Sequence, residues 1–151
     1  MTTTLFDKDQ ARIIVAGGRD FGNYPYMKRM LDRVLPGDGE EIEVVSGHAK
    51  GADRLGERYA EERGLRLRVM PADWKALGRL AGVFRNQRML DYAMEEAPMA
   101  VAFWDGASRG TADMIRRSGR AGVRTVVFGY GRPSDAAARG GEGETKPEED
   151  A

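Results

Sequence analysis

ARIIVAGGRDF, residues 11–21, joins a continuous apolar run to a glycine-rich turn. The run at 11–16 contains a single arginine and suits a strand buried on both faces, which is typical of the centre of a parallel sheet. Gly17 and Gly18 follow it directly and allow the backbone to approach another chain segment or a ligand closely. The stretch therefore predicts the first, central strand of an α/β fold, with a functional turn at its carboxyl end.

The rest of the chain alternates between strand and helix patterns. Strands that alternate with helices are joined by right-handed crossovers and run parallel. We therefore expect a Rossmann-like, doubly wound sheet of about five mainly parallel strands flanked by helices, in a single α/β domain. The later strands are predicted at 41–45, 65–70, 99–104 and 124–128, and the helices at 25–35, 52–63, 74–80 (a short helix or turn), from about 81, and at 111–119.

Composition divides the 151 residues into three parts. We expect a flexible segment at 1–10, a Rossmann-like folded domain at 11–131 and a disordered acidic tail at 132–151, where apolar periodicity is lost. The start lacks the features of a secretory signal, and no apolar run is long enough to span a bilayer, so we expect a cytoplasmic protein without a membrane partner. The formal net charge of zero argues against nucleic acid as a partner.

Cysteine is absent and His48 is the only histidine. These counts exclude thiolate metal sites and cysteine nucleophiles, and they argue against a metal held by side chains alone. No cofactor is predicted with certainty, although magnesium could accompany a phosphate ligand. His48 could act as a general base oriented by Asp53, Asp73 or Asp105, but an exposed loop histidine is the more ordinary interpretation.

Two strand-to-helix junctions have the character of phosphate-binding turns. SGHAKGAD at 46–53 and DGASRGT at 105–111 each follow an apolar run and open a helical pattern. Glycines in such turns let backbone N–H groups at a helix N-terminus point at an anion. Helix capping, by Ser46 or Asp53 in the first turn and by Ser108 or Thr111 in the second, would explain the same residues without any ligand. Because the carboxyl ends of parallel strands share one edge of the sheet, we expect both turns to lie beside one ligand site.

Further candidates lie at the same predicted edge or on the helix after residue 80. Arg19 and Arg85 could pair with a phosphate in a forked geometry, and Trp74 could stack on a base. Exposure to solvent, or partial burial in the core, would also explain the presence of these side chains without any ligand. The candidate ligand-binding residues are Gly17, Gly18, Arg19, Ser46, Gly47, Lys50, Gly51, Asp53, Trp74, Arg85, Asn86, Asp105, Gly106, Ser108, Gly110 and Thr111, and the candidate catalytic carboxylates are Asp20, Asp73 and Asp105.

Taken together, these motifs resemble the YspA-type, YpsA-related branch of the SLOG superfamily. The resemblance runs from about residue 12 to 129 and implies a Rossmann-like fold that binds a nucleotide or nucleotide-derived ligand across the strand ends. Our main expectation is therefore the binding or sensing of a phosphorylated small molecule of this kind. The resemblance is carried by GGRDF at 17–21, SG at 46–47 with GAD at 51–53, ADW at 72–74, Gly82 with RN at 85–86 and Met89, and FWDG at 103–106 with Ser108 and GT at 110–111.

The resemblance also implies alternatives. Superfamily relatives of the lonely-guy type hydrolyse the N-glycosidic bond of nucleoside monophosphates, using the glutamate of a GTxxE segment. Met114 occupies that position here, and Asp113 lies about 100° away around the helix, so an N-glycosidic-bond hydrolase or transferase would need another carboxylate. The superfamily also contains the DNA-processing protein DprA, which makes a single-stranded nucleic-acid-binding module a second alternative. Dimers are common among relatives, so a homodimer is a further expectation.

Overall fold

The computed structural model of the chain describes residues 10–35 and 41–131. The predictions for residues 1–10 and 132–151 therefore lie outside the described residues, apart from Gln10. The described ranges contain strands β1 Ala11–Gly17, β2 Ile42–Ser46, β3 Arg66–Val69, β4 Ala97–Trp104 and β5 Arg124–Gly129, helices α1 Tyr24–Val34, α2 Ala52–Arg63, α3 Trp74–Leu77, α4 Ala81–Ala93 and α5 Arg109–Arg120, and a 3-10 turn at Gly78–Leu80.

The strands form one sheet in the order β3-β2-β1-β4-β5. Every pairing is parallel, and in the centre Ile14 lies between Val45 of β2 and Ala100 of β4. The strand order reverses at β1, so β2 and β3 extend the sheet to one side and β4 and β5 to the other. The predicted Rossmann-like α/β fold is confirmed, and the reversal places a crevice beyond the carboxyl ends of β1 and β4.

Both faces of the sheet are covered by helices. Ile13 and Val15 of β1 are fully buried in one core together with residues of α1 and α2. Ile14 is fully buried in a second core with residues of α4 and α5. The alternation follows from the period of two in a strand, and burying each such side chain contributes roughly 1.5–3 kcal/mol. The two layers of helices make the sheet doubly wound, as predicted.

Several element boundaries follow directly from the sequence. Helix α2 spans the predicted residues, and it ends at Gly64, whose φ of 69° is left-handed and whose N–H reaches the carbonyls of Ala60 and Glu61. Helix α5 and strand β4 each begin two residues before their predicted starts. None of the helices in the described ranges has the length and apolar character needed to cross a membrane.

Candidate functional site

A cavity of about 550 Å³ opens in the crevice at the carboxyl ends of β1 and β4. Its wall is built from the loop after β1, the N-terminal end of α2, the α3–α4 segment, and the loop after β4 with the start of α5. The predicted site residues that line it are Gly17, Gly18, Arg19, Asp20, Asp53, Trp74, Arg85, Asn86, Asp105, Ser108, Gly110 and Thr111. Those that do not line it are Ser46, Gly47, Lys50, Gly51, Asp73 and Gly106.

Some of the residues outside the wall have structural roles instead. The φ of Gly51 is +85°, and a Cβ there would overlap the carbonyl oxygens of Gly18 and Arg19, so this glycine lets the start of α2 pack on the loop after β1. The Ser46 hydroxyl is buried and donates to Glu57 Oε2 over 2.7 Å. Asp73 Oδ1 accepts the Ala76 N–H and caps α3.

The start of α5 is open towards an anion. Asp105 Oδ1 accepts the N–H groups of Ala107 and Ser108, both at 2.9 Å, and so shapes the preceding loop. No side chain of the described residues caps α5, because the Ser108 hydroxyl lies 3.1 Å from that of Thr111 rather than on a backbone N–H. Helix N-termini left in this state attract negative charge.

Arg85 is fixed in the wall by neutral partners. Its Nη1 donates to the Gly47 carbonyl over 2.7 Å, and its Nε donates to Asn86 Oδ1 over 3.1 Å. Asn86 is buried, and its Nδ2 donates to Gly110 O at 3.2 Å and to Asp113 Oδ2 at 3.0 Å. A Cβ at residue 47 would lie 2.6 Å from Arg85 Nη1, so Gly47 leaves room for the guanidinium. These bonds tie α4 to the β2–α2 loop and to α5.

The cavity wall carries several arginines. Arg19, Arg79, Arg85 and Arg109 line it, and within the described ranges none of them forms an ion pair with a carboxylate. Burial lowers the pKa of Arg85, the nearby charge of Asp53 opposes this shift, and the charge of Arg19 adds to it. Four aspartates also line the wall, so the cavity as a whole is not basic; the guanidinium groups without an ion pair, together with the uncapped start of α5, are the part of it that favours an anion.

Two aspartates in the wall differ in their hydrogen-bond donors. Asp53 is 6% exposed, and its Oδ2 accepts the Ala49 N–H at 3.1 Å. Burial raises the pKa of Asp53 to about 6, against the effects of the Ala49 and Gly17 backbone and of Arg85. Burial also acts to raise the pKa of Asp113, but hydrogen bonds from Arg117 and Asn86 outweigh it and hold that pKa below its ordinary value. Asp53 is thus the cavity carboxylate that titrates near neutral pH.

The other acid–base candidates are engaged in local contacts. Asp20 lines the cavity and accepts a hydrogen bond of 2.6 Å from the Tyr130 hydroxyl. The carboxylate beside His48 is Glu57, whose Oε2 lies 2.8 Å from Nδ1, and not one of the three aspartates considered for that role. His48 does not line the cavity. Met114 lines it and is 2% exposed, so a thioether occupies the wall where the GTxxE pattern has its glutamate.

Sequence reasoning missed two of the arginines in the wall. Arg109 directly precedes Gly110 in the second turn, so its place in that motif was an available signal. Arg79 lies in the 3-10 turn between α3 and α4, where no periodic pattern marks the exposed face that meets the cavity. Gln87, the residue after Asn86 on α4, does not line the cavity and accepts a hydrogen bond from Arg117 over 2.8 Å.

Comparison with known proteins identifies the family of the chain. The sequence pattern of the YspA, cpYpsA-related SLOG family matches residues 11–77, which run from β1 to the end of α3. Over 123 residues the chain is 30% identical to the Gene 61 protein of Mycobacterium phage D29, an alignment that covers 78% of this chain and 96% of that protein. No solved structure gives a significant match. The chain therefore belongs to the YspA, cpYpsA-related SLOG family.

Proposed function

We propose that the cavity binds or senses a nucleotide or a nucleotide-derived phosphorylated small molecule. The observation that carries this proposal is the state of Arg85. An arginine side chain has several N–H donors, and the bonds to Gly47 and Asn86 use one on Nη1 and the one on Nε. The remaining donors belong to a desolvated cation in the cavity wall. A phosphate would give that cation the charged partner it lacks among the described residues.

The surroundings of Arg85 support a phosphate rather than an arbitrary anion. Gly110 and Thr111, in the first turn of α5, line the same wall, and Asn86 joins Arg85 to Gly110. A phosphate placed between them would receive both guanidinium and backbone donors. Trp74 is 50% exposed at the cavity and offers a ring on which a base could stack. Magnesium bound through the oxygens of the phosphate is compatible with this arrangement.

The size of the cavity and the family both support a small-molecule ligand. A volume of about 550 Å³ lies inside the range of roughly 300–1,000 Å³ usual for small-molecule sites. Membership of the SLOG family favours a nucleotide-related ligand. These points support a binding role without choosing between a sensor and an enzyme.

Arg85→Ala tests the proposal, with Arg88→Ala as its matched control. Both arginines lie on α4, but Arg88 is exposed and does not line the cavity. We expect AMP, ADP or ribose 5-phosphate to raise the melting temperature of the wild-type protein and of Arg88→Ala, and to leave Arg85→Ala unmoved. If saturating concentrations of the whole panel leave the wild-type melting curve unchanged, or if Arg85→Ala responds like the control, the proposal is wrong.

A second candidate function is hydrolysis or transfer at the N-glycosidic bond of such a ligand. The observation that favours it is Asp53, a cavity carboxylate whose pKa of about 6 would let it hold or release a proton near neutral pH. Release of free base from a panel of nucleoside monophosphates would support this activity. Separate Asn substitutions at Asp20, Asp53 and Asp105 would identify the carboxylate, and undiminished release in all three variants would rule these residues out.

A further inference from the structure

We infer that Asp53 is a specificity-determining residue that accepts a hydrogen bond from an O–H or N–H of the ligand. The site would then select a phosphate ester with a hydroxyl or amino donor, such as a sugar phosphate, over a phosphate ester that has no such donor, such as methyl phosphate. This inference rests on the proposed function, since it assumes that the phosphate lies near Arg85 and the start of α5.

Asp53 and Arg85 both line the cavity, and their charged groups come near each other beside Gly47, just outside the wall. A Cβ placed on Gly47 would lie 3.0 Å from Asp53 Oδ2 and 2.6 Å from Arg85 Nη1, so both charged groups border the same backbone position. They do not form an ion pair within the described residues, and Nη1 donates to the Gly47 carbonyl. A ligand held by Arg85 therefore has a buried carboxylate oxygen close to its phosphate end.

The buried carboxylate of Asp53 accepts hydrogen bonds from weaker donors than the carboxylate of Asp113 does. Asp113, in the same wall, is bonded by the side chains of Asn86, Arg116 and Arg117. Among the described residues, Asp53 receives bonds from backbone N–H groups only. A buried carboxylate with few donors is costly, and a ligand donor relieves that cost. The raised pKa of Asp53 and the lowered pKa of Asp113 agree with this difference in donors.

The charge of Asp53 also works against some anions. At neutral pH, above its pKa of about 6, Asp53 is mainly ionised. A fully ionised phosphate monoester such as methyl phosphate would bring further negative charge towards it with no hydrogen-bond donor in return, whereas inorganic phosphate keeps at least one P–OH group at neutral pH. A sugar phosphate would bring the same anion to Arg85 together with hydroxyl donors for the carboxylate. Asp53 thus discriminates by attraction to one class and by repulsion of the other.

The test is calorimetry at neutral pH with four probes: ribose 5-phosphate, AMP, methyl phosphate and inorganic phosphate. Wild-type protein is expected to bind one or both sugar phosphates at least about tenfold more tightly than methyl phosphate, which is the size of effect usual for a hydrogen bond to a charged group. This comparison changes the ligand and leaves the protein intact, so it does not depend on how any variant folds.

Asp53→Asn supplies the complementary measurement. We expect its affinity for the sugar phosphates to fall about tenfold, while its affinity for methyl phosphate stays the same or rises because a negative charge has gone. Equal affinity of the wild type for sugar phosphates and methyl phosphate would overturn the inference and leave the proposed function standing. An unchanged ratio of sugar phosphate to methyl phosphate affinity in a folded Asp53→Asn protein would do the same. If the wild type binds none of the four probes, the proposed function fails as well.

Discussion

At the scale of single residues, two aspartates of the cavity show how hydrogen-bond donors determine the pKa of a buried carboxylate. Asp53 and Asp113 are both buried in the same wall. The side-chain donors around Asp113 keep it ionised, whereas Asp53 depends on backbone donors and the field of Arg85. Of these two carboxylates, Asp113 therefore carries a fixed negative charge, whereas the charge of Asp53 changes as the pH passes through about 6.

The pH dependence of stability follows from the raised pKa of Asp53. The folded protein holds this proton up to about pH 6, while the unfolded chain releases it near 3.8. Asp53 therefore contributes stability below pH 3.8 that is lost as the pH rises through about 6. Relative to Asp53→Asn, the wild type should lose roughly 3 kcal/mol of unfolding free energy across this window.

Urea unfolding of the wild type and Asp53→Asn, measured at a series of pH values, checks this prediction. Taking the difference between the two proteins removes the contributions of the other titrating groups, which are shared. A difference that stays constant with pH between 3.8 and about 6 would show that burial does not govern Asp53.

At the scale of elements, α2 has a left-handed glycine at each end for different reasons. Gly64 ends the helix, and a Cβ there would meet nothing within 4 Å. Gly51 precedes the helix, and a Cβ there would overlap the backbone of the loop after β1. Gly64→Ala should therefore cost only the left-handed penalty of about 1–2 kcal/mol, and Gly51→Ala should cost clearly more. Denaturant unfolding of the two variants compares them, and equal losses would refute the role assigned to Gly51.

Helix α5 offers a second matched pair of glycines. Gly110 lies in its first turn at the cavity, and Gly119 lies near its far end. A Cβ at either position would meet nothing within 4 Å, and neither has a positive φ. We expect both alanine variants to fold with equal or slightly greater stability, since alanine favours a helix over glycine.

Only Gly110→Ala should weaken ligand binding, because its methyl group would occupy the space where the helix start meets a phosphate. Calorimetry with AMP or ribose 5-phosphate should show a severalfold loss of affinity for Gly110→Ala and none for Gly119→Ala. Equal affinities in the two variants would mean that the phosphate does not approach the start of α5.

At the scale of the whole molecule, the fold was predictable because it depends on apolar runs and strand–helix alternation, which are visible in the sequence. The apolar run of β1 predicted a central strand, and Ile14 does lie between β2 and β4. The crevice followed from the topology, since parallel strands bring their carboxyl ends to one edge. Met27 of α1 is buried in one core and Met89 of α4 in the other, as is usual for methionines at helical spacing. A homodimer stays a prediction.

The site was less predictable than the fold. A glycine that follows a strand looks the same in the sequence whether it faces a ligand or lets two segments of the chain pack closely. Gly110 lines the cavity, whereas Gly51 approaches its own chain at Gly18. Gly47 makes room for Arg85, a contact between residues far apart in sequence. Local patterns do not encode such long-range neighbours, so the sequence marked Asp53 as a candidate but did not show its burial or its hydrogen-bond donors, on which the proposed role depends.

The measurement that tests the central claim most directly is native mass spectrometry of the protein after incubation with the small-molecule fraction of a cell extract. Denaturation then releases any bound molecule for identification. We expect a phosphorylated, nucleotide-derived adduct on the wild type and on Arg88→Ala, and its loss from Arg85→Ala. A wild-type protein without any adduct, or the same adduct on Arg85→Ala, would contradict it.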